Sequence, residues 1–257
     1  MAKLTESEVE DLRGYTLKEI FAQIHLQILA SVPLPSDIAA EKVELALQKA
    51  LGFDALNGYK KYRAAIDLLE DTQYAIKEVM KRGLHTCDDV EQQHGEQYVR
   101  LYGVLNAVSL QMLSIRVLHS LFKDGRTQDS AAALKELMIY RVRNAAGAHT
   151  LDNQTKPGGK NTTFHRITQS DFSKWGDRLT FTVDGEGVVR FDLMAALRQY
   201  EDTSDRILHT LTKDVIRRTF PKAAEDKDWL TARLSYIAQK IAQRKYDVAN
   251  DPVEVPW

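Results

Sequence analysis

Apolar residues recur at helical spacing over most of this chain. Leu12, Leu17, Ile20, Ile24 and Ile28 step by three to five residues and predict a helix over residues 6–30. SVPLPSD (31–37) ends it, because two prolines so close cannot sit inside a helix. Ser36 or Asp37 is placed to cap a second helix through about Leu51. GFDALNG (52–58) predicts a turn, a third helix runs from about Tyr59 to Lys81, and residues 82–97 read as a polar connector. The strongest pattern follows: Leu101, Leu105, Val108, Met112, Ile115, Leu118 and Phe122 hold one face for about six turns. KDGRTQD makes a turn, Asp129 is a candidate N-cap, and the next helix carries Leu134, Leu137, Met138, Val142 and Ala145. Two amphipathic helices across so short a loop are expected to be antiparallel.

The period changes after His149. LDNQTKPGGKNTT reads as a long loop, FHRIT and RLTFTV as strands, DGEG as a hairpin turn and VVRFDL as the returning strand. Asp192 can cap a long helix to about Phe220, which Pro221 stops, and a last helix spans roughly Glu225 to Tyr246. The expected fold is therefore all-α, an antiparallel helical bundle with a small β-hairpin insertion at about 162–192. The expected organisation is an N-terminal helical segment (1–56), a central helical domain (57–220), and a C-terminal helix and tail (221–257).

Composition narrows the functional classes. A chain of 257 residues with 44% apolar and 28% charged residues can build a real core. The formal net charge of −1 excludes a bulk polycation, so any nucleic-acid contact must come from a local patch. Cys87 is the only cysteine, which excludes an internal disulfide and any multi-cysteine zinc site. With no apolar leader at the N-terminus and no run near the roughly 18 apolar residues of a membrane span, a cytoplasmic setting without membrane contact is expected.

Candidate chemistry concentrates in YRVRNAAGAHT (140–150), where two arginines, an asparagine and a histidine stand among very small residues. On a continuous helix Arg143 falls about 180° from Leu134, away from the core, whereas Arg141 falls about 20° from it, on the apolar stripe. A straight helix separates Arg143 and His149 by some 120°; a C-cap at Gly147, or a second copy of the chain, is needed to bring such groups together. From Arg141 to Arg178 there are seven Lys or Arg against three Asp and no Glu, a local charge of +4. That asymmetry suits a phosphate-binding surface, with Arg141, Lys156, Lys160, His165 and Arg166 as candidate contacts.

RNAAGAH (143–149) resembles the R-x4–6-H motif of the HEPN family (higher eukaryotes and prokaryotes nucleotide-binding), in which a polar residue such as Asn144 commonly follows the arginine. YVRLYGVLNAVSLQMLSI (98–115) resembles the first of the paired helices of that family, and the likeness spans about residues 59–220. The loop and hairpin after the motif depart from the minimal domain. The resemblance implies a HEPN-like bundle and a homodimer with two motifs facing one cleft. It also implies a metal-independent endoribonuclease without cofactor, the toxin of a toxin–antitoxin or phage-defence system with a cognate antitoxin. The other reading it allows is a non-catalytic HEPN module that binds nucleotide or RNA, or scaffolds a partner protein.

The residue types suit the first reading. RNA supplies its own nucleophile, the 2′-hydroxyl. A histidine can move its proton near neutral pH, and an arginine can bond two phosphate oxygens at once. Arg143 and His149 are thus the expected catalytic pair, with Asn144 orienting phosphate or imidazole. No metal is expected: His85, Cys87, Asp88, Asp89 and His94 fit no zinc spacing. KPGGKNT (156–162) lacks the strand before and the helix after that a phosphate loop requires.

Overall fold

The computed structural model describes residues 4–53, 57–122, 132–147, 165–167, 173–176, 179–183, 187–221 and 225–249. The chain is mostly helical. Its helices are α1 (Glu6–Leu12), α2 (Leu17–Ala30), α3 (Ala40–Ala50), α4 (Gly58–Arg82), α5 (Val90–Phe122), α6 (Met138–Gly147), α7 (Leu193–Thr219) and α8 (Glu225–Ala249). β1 (His165–Ile167), β2 (Leu179–Val183) and β3 (Gly187–Phe191) form one antiparallel sheet in the order β1-β2-β3. The expected strands and the α7 cap are present, with Asp192 Oδ1 accepting from the Ala195 amide at 2.8 Å. The expected turns at 123–129 and 184–187, and the Asp129 cap, fall wholly or largely outside the described residues.

Three expectations are corrected. Residues 6–30 are two helices, because Thr16 and Glu19 form a capping box that starts α2 afresh: Thr16 Oγ1 accepts from the Glu19 amide, and Glu19 Oε2 accepts from the Thr16 amide at 2.5 Å. Neither Ser36 nor Asp37 caps α3, whose N-cap is Ala39 without a side-chain bond; the Ile38 amide instead closes a turn on the Pro35 carbonyl. The polar connector is shorter than expected, since α5 begins at Val90. Glu96, one turn and a half into α5, gathers the preceding loop. It accepts from the Thr86 amide (2.9 Å), the Thr86 hydroxyl (3.0 Å), the Cys87 amide (3.3 Å) and Arg100 Nε (2.7 Å). The Thr86 and Cys87 donors, the Thr86 amide foremost, hold its carboxyl down at about 2.

Two compact units interleave along the chain, and α4, α5 and α7 each give one part to each. The first unit comprises Met1–Gln73, Leu110–Ala132 and Asp202–Asp251. Its central element is α2, ten of whose 14 residues are buried, as befits a helix covered on nearly all sides. Two polar contacts tie α2 to α7. Lys18 Nζ meets Asp205 Oδ1 at 3.0 Å with both side chains fully buried, and His25 Nε2 meets Thr212 Oγ1 at 3.0 Å. Both pairs carry the same sequence offset of 187 residues, so α2 and α7 run parallel here, with two helical turns between the contacts. Asp205 Oδ2 also accepts from Arg244 Nη1 of α8 at 2.6 Å. Contacts between α4 and α5 run the opposite way, Gln111 with Leu69 and Gln73, Ser114 with Ala65, Phe122 with Tyr62, and so are antiparallel. Phe53, Tyr62 and Phe122 close the core edge-on, with ring centroids 5.2–5.6 Å apart.

The second unit comprises Tyr74–Ser109, Ala133–Glu201 and Pro252–Trp257. Its core includes Ile76 and Val79 of α4, Leu101, Val104 and Val108 of α5, Ile167, Leu179 and Phe191 of the sheet, and Leu193 and Leu197 of α7. Residues 173–176 are clamped by backbone bonds, from the Leu84 amide to the Lys174 carbonyl and from the Leu193 amide to the Gly176 carbonyl. Gly83, at φ +78°, permits this, because a Cβ there would land on the Lys174 carbonyl oxygen.

By length and composition, Gln92–Phe122 of α5 is apolar enough to cross a membrane, contrary to the expectation that no segment would be. Half of its most apolar window lies buried inside the protein. Its buried Gln111 and Ser114 bond backbone carbonyls of α4, which is what a helix in a protein core does with its polar groups.

His25 makes stability in the first unit depend on pH. Both its ring nitrogens face hydroxyls, Nδ1 that of Tyr62 at 2.7 Å and Nε2 that of Thr212, and full burial pushes the imidazole from 6.5 down to about 4. The unfolded chain takes up this proton below about pH 6.5 while the folded protein does not. The stabilisation from a neutral His25 is thus complete above 6.5 and is lost as pH falls towards 4, on the order of 3 kcal/mol in full. The urea midpoint should fall over this window, and His25→Gln should flatten the fall. An equally steep fall in the variant would refute the assignment.

Candidate nucleic-acid interface

The motif helix begins later than the apolar pattern suggests. Residues 132–135 are helical, 136–137 form a turn, and α6 starts afresh at Met138. The Tyr140 amide bonds the Leu137 carbonyl at 3.0 Å across the junction. No glycine or proline marks the break. Ile139, Val142 and Ala146, spaced by three and four, form the buried face of α6.

The interruption changes the helical phase between Leu134 and the motif. Arg141 therefore does not lie on a buried stripe. It is exposed, and its Nη2 lies 3.7 Å from Glu136 Oε2 at the junction, with the two side chains 57% and 79% accessible. Arg143 points to solvent as expected, from the flank of the buried face.

Arg143 is held by its neighbour in the motif, its Nη1 donating to Asn144 Oδ1 at 3.1 Å. Asn144, expected to orient phosphate or imidazole, instead faces the Arg143 guanidinium with its carbonyl oxygen. Among the described residues no carboxylate forms an ion pair with Arg143. Among the described residues, the Asn144 bond takes one of the five donors of this guanidinium.

The sheet brings further candidates to this helix. β1 lies against α6 and carries His165 and Arg166, which stand opposite Val183 and Thr182 of β2. Thr182 is in turn opposite Val188 of β3, and the neighbouring Arg190 is exposed. Arg190 is a further exposed cation on this sheet. His149, Lys156 and Lys160 lie outside the described residues, so the structure places β1 against the helix that carries Arg141, Arg143 and Asn144 and says nothing of the other three.

The loop before α5 is built for structure. His85 faces the Cys87 carbonyl through Nδ1 (3.3 Å) and the Gln93 side-chain amide through Nε2 (2.8 Å), so both ring nitrogens are engaged within the loop and the start of α5. Among the described residues, no three His, Cys, Asp or Glu side chains are grouped to hold a metal ion.

Arg141→Ala should shift stability by less than about 0.5 kcal/mol, because an ion pair this exposed contributes little. A larger loss in urea unfolding would show that Arg141 supports the core after all. Set against models of protein families, curated proteins and solved structures, the chain matches none of them.

Proposed function

We propose that this protein is a metal-independent endoribonuclease of HEPN type, acting as a homodimer and serving as the toxin of a toxin–antitoxin or phage-defence system. The observation that carries the reading is Arg143: exposed, without a carboxylate partner among the described residues, and steered by Asn144. Such a group binds a phosphate oxygen pair without first giving up an internal ion pair. The strand β1 against the motif helix carries His165 and Arg166, of which Arg166 is one more fixed cation on a neighbouring element, and this supports the reading.

In this reading His149 accepts the proton of the RNA 2′-hydroxyl as its oxygen attacks the adjacent phosphorus. Arg143 stabilises the charge that builds on the non-bridging oxygens. The bond to the 5′ oxygen then breaks, and that oxygen leaves with a proton from the second copy of His149. The chain needs no nucleophile of its own, since RNA provides it. Localisation in the cytoplasm, where the RNA is, belongs to the same proposal.

The test is RNA cleavage, and toxicity on expression, by wild type, Arg143→Ala and His149→Ala. Each variant should lose cleavage by about 10²–10⁴-fold while keeping the wild-type melting temperature. RNA binding should weaken more for Arg143→Ala, because the arginine is always charged. If the wild type binds RNA but cleaves none, the non-catalytic HEPN module replaces this reading. If both variants cleave normally, the site lies elsewhere.

A further inference from the structure

The corner that separates α1 from α2 opens a second site, built wholly within the first unit. Arg13, Tyr15 and Thr16 of the corner face Tyr236, Lys240, Gln243 and Arg244 of α8 across a cleft of about 280 Å³. Three of its lining residues are cationic and none is acidic. Each cation is held differently. Arg244 is anchored through Nη1 to the buried Asp205 at 2.6 Å, a bond that engages one of its five donors. Lys240 Nζ lies 5.4 Å from the ring centroid of Tyr236, and this aromatic face is its one partner among the described residues. Arg13 bonds Glu10 at 2.6 Å, but both side chains are largely exposed and such a pair yields readily to a better ligand.

Arg244 is one of two cations on the buried Asp205, the other being Lys18. The N-terminus of α2 borders the same space, Thr16 and Leu17 being part of its lining.

We infer that this cleft binds a small phosphorylated metabolite, its phosphate held by Arg13, Lys240 and Arg244 and its organic part against Tyr15. A phosphate suits it because guanidinium groups bond paired anionic oxygens and an ammonium adds a point charge. A small ligand suits it because the cleft lies at the lower edge of the volumes of small-molecule sites, about 300–1,000 Å³. A nucleic-acid strand would need a longer groove. Tyr15, about half exposed at the rim, offers a ring face to a sugar or base.

The site stands apart from the ribonuclease proposal, since no residue of the 140–150 motif takes part in it. Inorganic pyrophosphate is the probe, titrated calorimetrically into the full-length protein at constant ionic strength. Saturable binding is expected, with Kd raised at least about tenfold by Lys240→Ala and by Arg13→Ala. Both residues are on the surface of the fold, so melting temperatures in the absence of pyrophosphate should match wild type. Adenosine monophosphate should bind through the same residues, and Tyr15→Ala should weaken it while leaving pyrophosphate unaffected. Arg143→Ala should leave the component of pyrophosphate binding that depends on Lys240 and Arg13 unchanged, which separates this site from the motif. Heat that follows ionic strength alone, or binding indifferent to Lys240→Ala and Arg13→Ala, would overturn the inference, as would loss of binding in Arg143→Ala alone.

Discussion

The Asp205 carboxylate is the constraint on which the first unit depends. It lies wholly buried on α7 and gives one oxygen to Lys18 of α2 and the other to Arg244 of α8. Buried charges cost several kcal/mol each to dehydrate, and they are tolerated only when geometry and hydrogen bonds offset that cost. Three helices therefore have little freedom to slide past one another. Two turns further along, His25 repeats the tie between α2 and α7 through Thr212 and recruits Tyr62 of α4. The same carboxylate also fixes the cationic cleft, because it pins Arg244 beside the corner that carries Arg13.

In the second unit the constraint is backbone rather than charge. Residues 173–176 are stitched to the end of α4 and the start of α7, and Gly83 and Gly176, both at positive φ, allow the close approach. α7 thus continues from β3 with Asp192 as its cap, and the sheet brings β1 alongside α6. The exposure of Arg143 follows from a short helix whose Ile139, Val142 and Ala146 take the buried side. The proposed chemistry uses what that packing leaves outward.

Much of this was legible along the chain. Long apolar periods gave α4, the body of α5, α7 and α8, and the change to alternation gave all three strands within a residue or two. The break at 13–16 was also written there, as the T-x-x-E of a capping box at Thr16, but Leu12 and Leu17 keep near-helical spacing across it and hid the corner. The break at 136–137 had no such mark. Leu134 and Leu137 are both buried, no glycine or proline intervenes, and only tertiary packing decides that α6 starts at Met138. Arg141 was placed on a buried stripe for that reason alone. The Lys18–Asp205 pair and the cleft join residues nearly two hundred positions or more apart, which no local pattern reveals.

The cleavage proposed at the motif uses the RNA 2′-hydroxyl as nucleophile, with Arg143 and His149 as the groups that handle charge and proton. The chemical ends of the cleavage products report that step directly. Mass spectrometry of RNA cut in excess EDTA should find 2′,3′-cyclic phosphate on the upstream fragment and a 5′-hydroxyl on the downstream one. Products ending in a plain 3′-hydroxyl, or cleavage that disappears with the chelator, would contradict it.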